Sequence, residues 1–236
     1  MDFQRAFVIS LTESEDRRNR FFRRAQRAGL DIEWFPAIRG SQVNLDDLRR
    51  DGYLADDFKL RTPGSLGTLL SHVKVWEQVE KDSDCDVALV FEDDALLDPG
   101  FKSRLHALPI ESIPADWDML WLGWHKLDCE PVNELWGKPH PKQKIGTNSG
   151  HFAYLIKSSS IPLLRSFLIP YNNRNSKDNL LRKNFANFGA YFLLKRMART
   201  PLLEFDSVRK NLNDPKRNDS LRRRIGQWIS KLSYWR

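Results

Sequence analysis

Three consecutive acids, Glu92-Asp93-Asp94, close the apolar run Val87-Ala88-Leu89-Val90-Phe91. Such a run, bounded by turn residues, predicts a central strand covered on both faces, and the carboxyl end of that strand is where α/β sheets bind ligands. Three adjacent carboxylates repel one another. A divalent ion bridging one or two of them to a diphosphate offsets that repulsion and leaves positions for water and substrate oxygens. Along an extended chain Glu92 and Asp94 point the same way while Asp93 faces elsewhere, so Glu92 and Asp94 are the expected metal ligands. The plain alternative is a solvated turn whose acids cap a following helix.

Other residues carry weaker chemical signals. Arg17 follows the first predicted strand and offers a fork of donors to a nucleotide base or its phosphates, or is simply a solvated residue of a basic helix. Gly64 and Gly67 open a helix whose free N–H groups suit an anion, although Gly67 equally permits close packing. His72 borders an apolar stripe, where a lone histidine is more often a hydrogen-bonded structural group than a catalyst. His151, at the start of a strand, can contact substrate. Trp117 and Trp121 read as core.

The elements that must hold these residues follow from periodicity. Ala6 to Leu11 reads as a first strand, Arg17 to Ala28 as a basic helix ended by Gly29, and Ile32 to Phe35 as a second strand. That order opens a nucleotide-binding α/β sheet. Residues 39–61 read as loop with a short helix near Leu45 to Asp51. From Ser65 onward Leu66, Leu69, Leu70, Val73, Trp76 and Val79 share one helical face. Trp117 to Gly123 and Gly150 to Ile156 are two further strands, and Cys129 to Ser149 between them is a Pro- and Gly-punctuated loop of the kind that builds acceptor sites.

The 236 residues suit one α/β catalytic domain, expected over 1–206, with a tail over 207–236. Val208 to Arg236 holds nine basic and two acidic residues, the whole of the +7 formal charge, so the body is neutral. This argues against a nucleic-acid enzyme with a basic groove and for a neutral domain whose tail touches something anionic. In the tail Leu221, Ile225, Trp228, Ile229, Leu232 and Trp235 fall on one helical face bordered by Arg222, Arg223, Arg224 and Lys231. That is the pattern of an amphipathic helix lying on an anionic membrane surface, or of a helix docked on its own domain. Two cysteines, Cys85 and Cys129, without metal-like spacing suggest a reducing compartment. No stretch is apolar for long enough to span a bilayer, so a cytoplasmic protein, peripheral on the inner face of the plasma membrane, is expected.

Several motifs in order resemble glycosyltransferase family 25, the lipooligosaccharide and collagen galactosyltransferase family, over most of residues 5–205. They are Phe7-Val8-Ile9-Ser10-Leu11 with Arg17-Arg18; Gly64-Ser65-Leu66-Gly67 leading to Leu70-Ser71-His72 and Trp76; Leu89 to Asp94; Trp117-Asp118 with Leu122-Gly123; and Gly150 with Ala153-Tyr154. The resemblance implies a GT-A-like fold, a mixed, mostly parallel sheet flanked by helices, here with a basic C-terminal helix. It implies Mn2+ (or Mg2+) and a UDP-sugar held by the acidic cluster, and inverting transfer of a hexose, galactose first, to a lipopolysaccharide, lipooligosaccharide or related glycan or glycolipid acceptor. Ser10, Leu11, Arg17, Gly64, His72, Glu92 and Asp93 would then bind the donor. The family has Cys where Thr68 stands, and a Pro-apolar-Asp segment after the Gly150 strand whose best match is Asp178 in Ser176-Lys177-Asp178. Asp178 is the expected catalytic base, with Asp93 as the fallback; Asp178 equally suits the start of a helix. Two rival readings stand beside this one: a degenerate transferase fold serving as a membrane-surface binding protein, and a transferase using another nucleotide sugar.

Overall fold

A computed structural model describes residues 1–144 and 146–201. In chain order the elements are β1 (Arg5–Ser10), α1 (Glu15–Arg27), β2 (Glu33–Pro36), α2 (Leu45–Arg50), α3 (Pro63–Lys81), β3 (Val87–Glu92), β4 (Leu96–Leu97), α4 (Phe101–His106), β5 (Met119–Trp121), β6 (Cys129–Pro131), β7 (Trp136–Pro139), β8 (Ala153–Lys157), α5 (Ile161–Ser166), α6 (Lys177–Lys183), β9 (Ala190–Leu193) and β10 (Ala198–Arg199). The predicted tail, 207–236, lies outside the described residues.

The main sheet has the order β2-β1-β3-β8-β5-β9-β7-β6. Parallel pairing joins β2 to β1, β1 to β3 and β5 to β9, while β8 and the β6–β7 hairpin run antiparallel to their neighbours, so the sheet is mixed. Because side chains alternate along a strand, β3 sends Ala88 and Val90 to one core and Leu89 and Phe91 to the other. Both faces are covered, as the uninterrupted run predicts. The first core is roofed by α3, whose predicted stripe is wholly buried together with Val75, Ser71 and His72, wider than one face. The second lies under α1, through Phe21 and Ala25, and α4, through Phe101 and Leu105.

α1 stops as expected at Gly29. With φ +75°, this glycine lets its N–H reach Gln26 O and the N–H of Leu30 reach Ala25 O, which satisfies the last carbonyls of the helix. Three expectations are corrected. α3 begins at Pro63, two residues before Ser65, since proline is well placed in a first turn. The segment Cys129 to Ser149 is not all loop: it contains β6 and β7, which extend the sheet beyond β9. The helix expected over Asn179 to Phe185, with Asp178 just before it, instead begins at Lys177, where the Ser176 side chain accepts from Asn179 N, so Asp178 lies within its first turn. No helix among the described residues is long and apolar enough to cross a membrane.

Candidate active site

The carboxyl ends of β1, β3, β5 and β9 and the start of the antiparallel β8 share one edge of the sheet. Strand β3 stops at Glu92, and Glu92 O accepts from Ala95 N at 3.0 Å, so Asp93 and Asp94 sit in a tight turn. This corrects the extended-chain argument for a shared ligand, because strand alternation ends at Glu92 and no longer aligns it with Asp94.

Asp93 is buried and faces β1 and α1. Its Oδ2 accepts from Ser10 Oγ at 2.7 Å, and its Oδ1 pairs with Arg17. Burial raises the Asp93 carboxyl above its ordinary value, outweighing Arg17 and Ser10, which pull it down. For Arg17 burial opposes the charge, but Asp93 and then Asp94 more than offset it and leave the guanidinium raised, with Glu92 adding to the effect. One arginine therefore feels all three acids. Leu11 contributes its backbone: its carbonyl accepts from Arg18 at 2.9 Å.

Glu92 turns toward the opposite core. Its Oε1 accepts from His72 Nε2 at 3.1 Å and from Lys177 Nζ at 3.3 Å. His72 Nδ1 lies 2.7 Å from Tyr154 Oη, which accepts from Trp76 Nε1 at 2.9 Å. The donors fix the tautomer: Trp76 donates to Tyr154, Tyr154 to His72 Nδ1, and His72 Nε2–H to Glu92. Burial, with Lys177 nearby, pushes the His72 pKa down to about 4, so the ring is neutral at pH 7. Burial alone would raise Glu92, yet Lys177 and His72 overcome it and hold the carboxyl low. A direct donor contact by His72 is not what this geometry offers, since both ring nitrogens are engaged inside the protein.

Asp178 stands in the first turn of α6. Its Oδ2 accepts from Gly150 N at 3.1 Å. Its Oδ1 is 3.0 Å from His151 Nδ1, at ion-pair distance but without hydrogen-bond alignment. Burial would raise the Asp178 carboxyl; His151, Lys177 and the Gly150 N–H instead take it well below the usual range. Thus Asp178 both begins a helix and reaches the sheet edge, where it contributes to the field at Glu92.

Gly67 serves packing. A Cβ there would press on the Ile38 carbonyl oxygen and stand 2.7 Å from Gly40 N, so the loop after β2 lies directly on α3. Gly64 sits in that first turn. Trp121 is core, stacked on Phe192 with centroids 4.6 Å apart, and Trp117 is buried. Sequence reasoning missed Lys177, Tyr154 as the relay to His72, and Trp34. For Lys177 the one available signal was its place beside Asp178.

The site unites Ser10 and Arg17 from the β1 side with the acidic turn of β3 and the α6 pair Lys177 and Asp178. Along the chain the family described as Glycosyltransferase family 25 (LPS biosynthesis protein) matches residues 3–214. The chain belongs to glycosyltransferase family 25. It is 34% identical over 144 residues to a glycosyltransferase 25 family member of Aedes aegypti, covering 58% of this chain and 23% of that one. To human procollagen galactosyltransferase 2 it is 31% identical over 140 residues, 55% of this chain and 22% of the other. A bovine protein named probable inactive glycosyltransferase 25 family member 3 is 32% identical over 149 residues, 59% and 25% of the two chains. The chain thus spans about a quarter of the length of these family relatives. Among solved structures, a mutant Drosophila β1,4-galactosyltransferase 7 with manganese, UDP-Gal and xylobiose gives a TM-score of 0.42 at 11% identity, covering 89% of this chain and 77% of that one. The galactosyltransferase LgtC with donor and acceptor sugar analogs gives 0.38 at 16%, covering 80% and 73%. At these TM-scores the likenesses carry no argument of their own.

Proposed function

We propose that this family 25 chain transfers a hexose, galactose first, from a UDP-sugar to a saccharide acceptor of the lipopolysaccharide class, with inversion at the anomeric carbon. The observation that carries the reading is the placement of Asp93 and Asp94 in a turn at the carboxyl end of central β3, with Arg17 against the acids and Asp178 approaching from α6. Arg17 would meet the donor diphosphate, Ser10 would fix Asp93, and Asp178 would take the proton of the acceptor hydroxyl. Asp93 is less suited to the base role, since its side chain is more deeply buried, 8% exposed against 20% for Asp178.

Carboxylate oxygens suit Mn2+ or Mg2+. Among the described residues no group of three or more His, Cys, Asp and Glu is arranged around one point. A cation would therefore rest on Asp94 in the turn, with Glu92 joining through Oε2, the oxygen not facing His72 and Lys177, and with diphosphate and water supplying the other ligands. When bound it would neutralise charge on the departing diphosphate.

UDP release with a panel of nucleotide sugars, with and without manganese, tests the reading. Asp94→Asn should remove manganese-dependent UDP binding and turnover while the fold persists; turnover within a few-fold of the unmodified enzyme would sink the metal assignment. A second reading, a transferase fold that binds without turnover, draws support from Glu92 being engaged by Lys177 and His72. Donor binding with no UDP release from any sugar would favour it.

The basic, apolar-striped tail supports attachment to an anionic inner leaflet near a lipid-linked acceptor, in the cytoplasm. Removing residues 220–236 should abolish sedimentation with anionic vesicles and leave UDP binding unchanged. Sedimentation that survives the truncation would end that idea.

A further inference from the structure

Among the described tryptophans Trp34 is the exposed one, at 39%. It stands on β2, the edge strand beside β1, in register with Val8. Its neighbour Phe35 packs into the core under α3, so the indole belongs to the opposite, α1 side of the sheet. The indole leans along β1 toward its carboxyl end, where Nε1 donates to Ser10 O at 2.9 Å. Arg18 covers part of the ring with its guanidinium carbon 4.0 Å from the centroid, and is itself held by Leu11 O at 2.9 Å and Thr12 O at 3.2 Å. An exposed tryptophan fixed at its N–H edge and braced by an anchored guanidinium presents a planar surface of fixed orientation.

Its position gives it a use. Ser10 holds Asp93 with its hydroxyl and Trp34 with its carbonyl, so one residue ties the indole to the acidic turn. Consecutive arginines at the start of α1 divide in the same way, Arg17 to Asp93 and Arg18 to Trp34. A donor whose diphosphate lies at Arg17 would place its nucleoside one strand outward, over this surface. Indole and guanidinium planes both stack on the π-face of a base.

The geometry points to the Trp34–Arg18 pair as the platform on which the nucleobase of the donor stacks. This rests on the nucleotide-sugar reading. Because stacking acts on the base and not on the phosphates, the test compares two probes, UDP and inorganic pyrophosphate, with manganese present. Binding is measured for the full chain, for Trp34→Leu, which keeps apolar bulk on the edge strand, and for Trp34→Phe, which keeps an aromatic face.

Trp34→Leu should weaken UDP roughly 5- to 150-fold, leave pyrophosphate unchanged, and be largely rescued in Trp34→Phe. Unchanged UDP affinity in Trp34→Leu overturns the platform, and so does a parallel loss of UDP and pyrophosphate, which would mark general damage to the site. Poor folding of Trp34→Leu leaves the question to Trp34→Phe and to the unmodified protein. There, UDP binding no tighter than pyrophosphate overturns the platform. An unmodified protein that binds neither probe removes the nucleotide-sugar reading itself, a separate failure.

Discussion

Lys177 Nζ lies 3.3 Å from Glu92 Oε1, with 1% of the lysine side chain exposed and 29% of the glutamate. The two residues are 85 positions apart, so the pair fastens the first turn of α6 to the end of β3. The next residue, Asp178, binds Gly150 N at the approach to β8. Two consecutive residues of a short helix therefore fix the spacing between the acidic turn and the candidate base.

A lysine buried this far is stable only as long as its partner is charged and in place. Lys177→Met keeps the length and removes the charge, leaving Glu92 with His72 alone. The expected loss is about 3 kcal/mol of stability, read by denaturant unfolding. Adding Glu92→Gln should restore part of it, so the double variant should lose less than the sum of the singles. Strict additivity would mean the pair does not interact.

His72 gives a pH signature. Its folded pKa, about 4, is below the ordinary histidine value of 6.5, so between these values the unfolded chain binds the proton that the folded ring refuses. The group's contribution is complete above pH 6.5 and is lost as pH falls toward 4. From pH 8 to 4.5 that loss is on the order of 2 to 3 kcal/mol. A glutamine at 72 has no such proton, so His72→Gln, although less stable at pH 8, should show a shallower fall over that range. Parallel curves would contradict the buried neutral ring.

Gly67 offers a purely steric check. Gly67→Ala forces a methyl group against the backbone of Ile38 and Gly40, neither of which can swing aside as a side chain could. Overpacking of this kind costs about 2 kcal/mol or more, equivalent to about 4 to 8 °C in Tm for a domain of this size. A Tm within one degree of the unmodified protein would show that the loop after β2 is not seated on α3.

Residues that obey strong periodic rules were legible in the sequence. The apolar run of β3 follows from burial on two faces, the α3 stripe from burial on one, and the Gly29 stop from a left-handed backbone; in each a single cause outweighs the rest. The β6–β7 hairpin was not legible, because Glu130, Pro131, Gly137, Lys138 and Pro139 are turn-like or charged and the strands are only three and four residues long. At the site, the acidic turn was legible from composition. Its internal partition was not: which acid meets Arg17 and which meets Lys177 depends on where β3 stops, and terminal residues are the least determined part of any strand prediction. Lys177 was hidden for a different reason. Lysine is ordinarily a surface residue, and its burial here depends on a partner far away in the chain.

Asp178→Asn separates the base role from the structural one. The asparagine carbonyl can still accept from Gly150 N, so the start of α6 should hold, but the negative charge beside His151 is gone and no proton can be taken from the acceptor. If Asp178 acts in the chemical step, kcat should fall about 10²- to 10⁴-fold while the Kd for UDP stays within a few-fold. The depressed carboxyl carries a further consequence. Held well below the usual carboxylate range, Asp178 stays ionised as pH drops from 7 to 5, so kcat should not decline over that interval on its account. A low pKa also makes it a weak base, and proton transfer must then be late, when the acceptor hydroxyl has already begun to bond to the sugar. A solvent isotope effect near unity together with full UDP binding would fit that order. Loss of UDP affinity in step with kcat would instead make Asp178 a brace for the donor pocket.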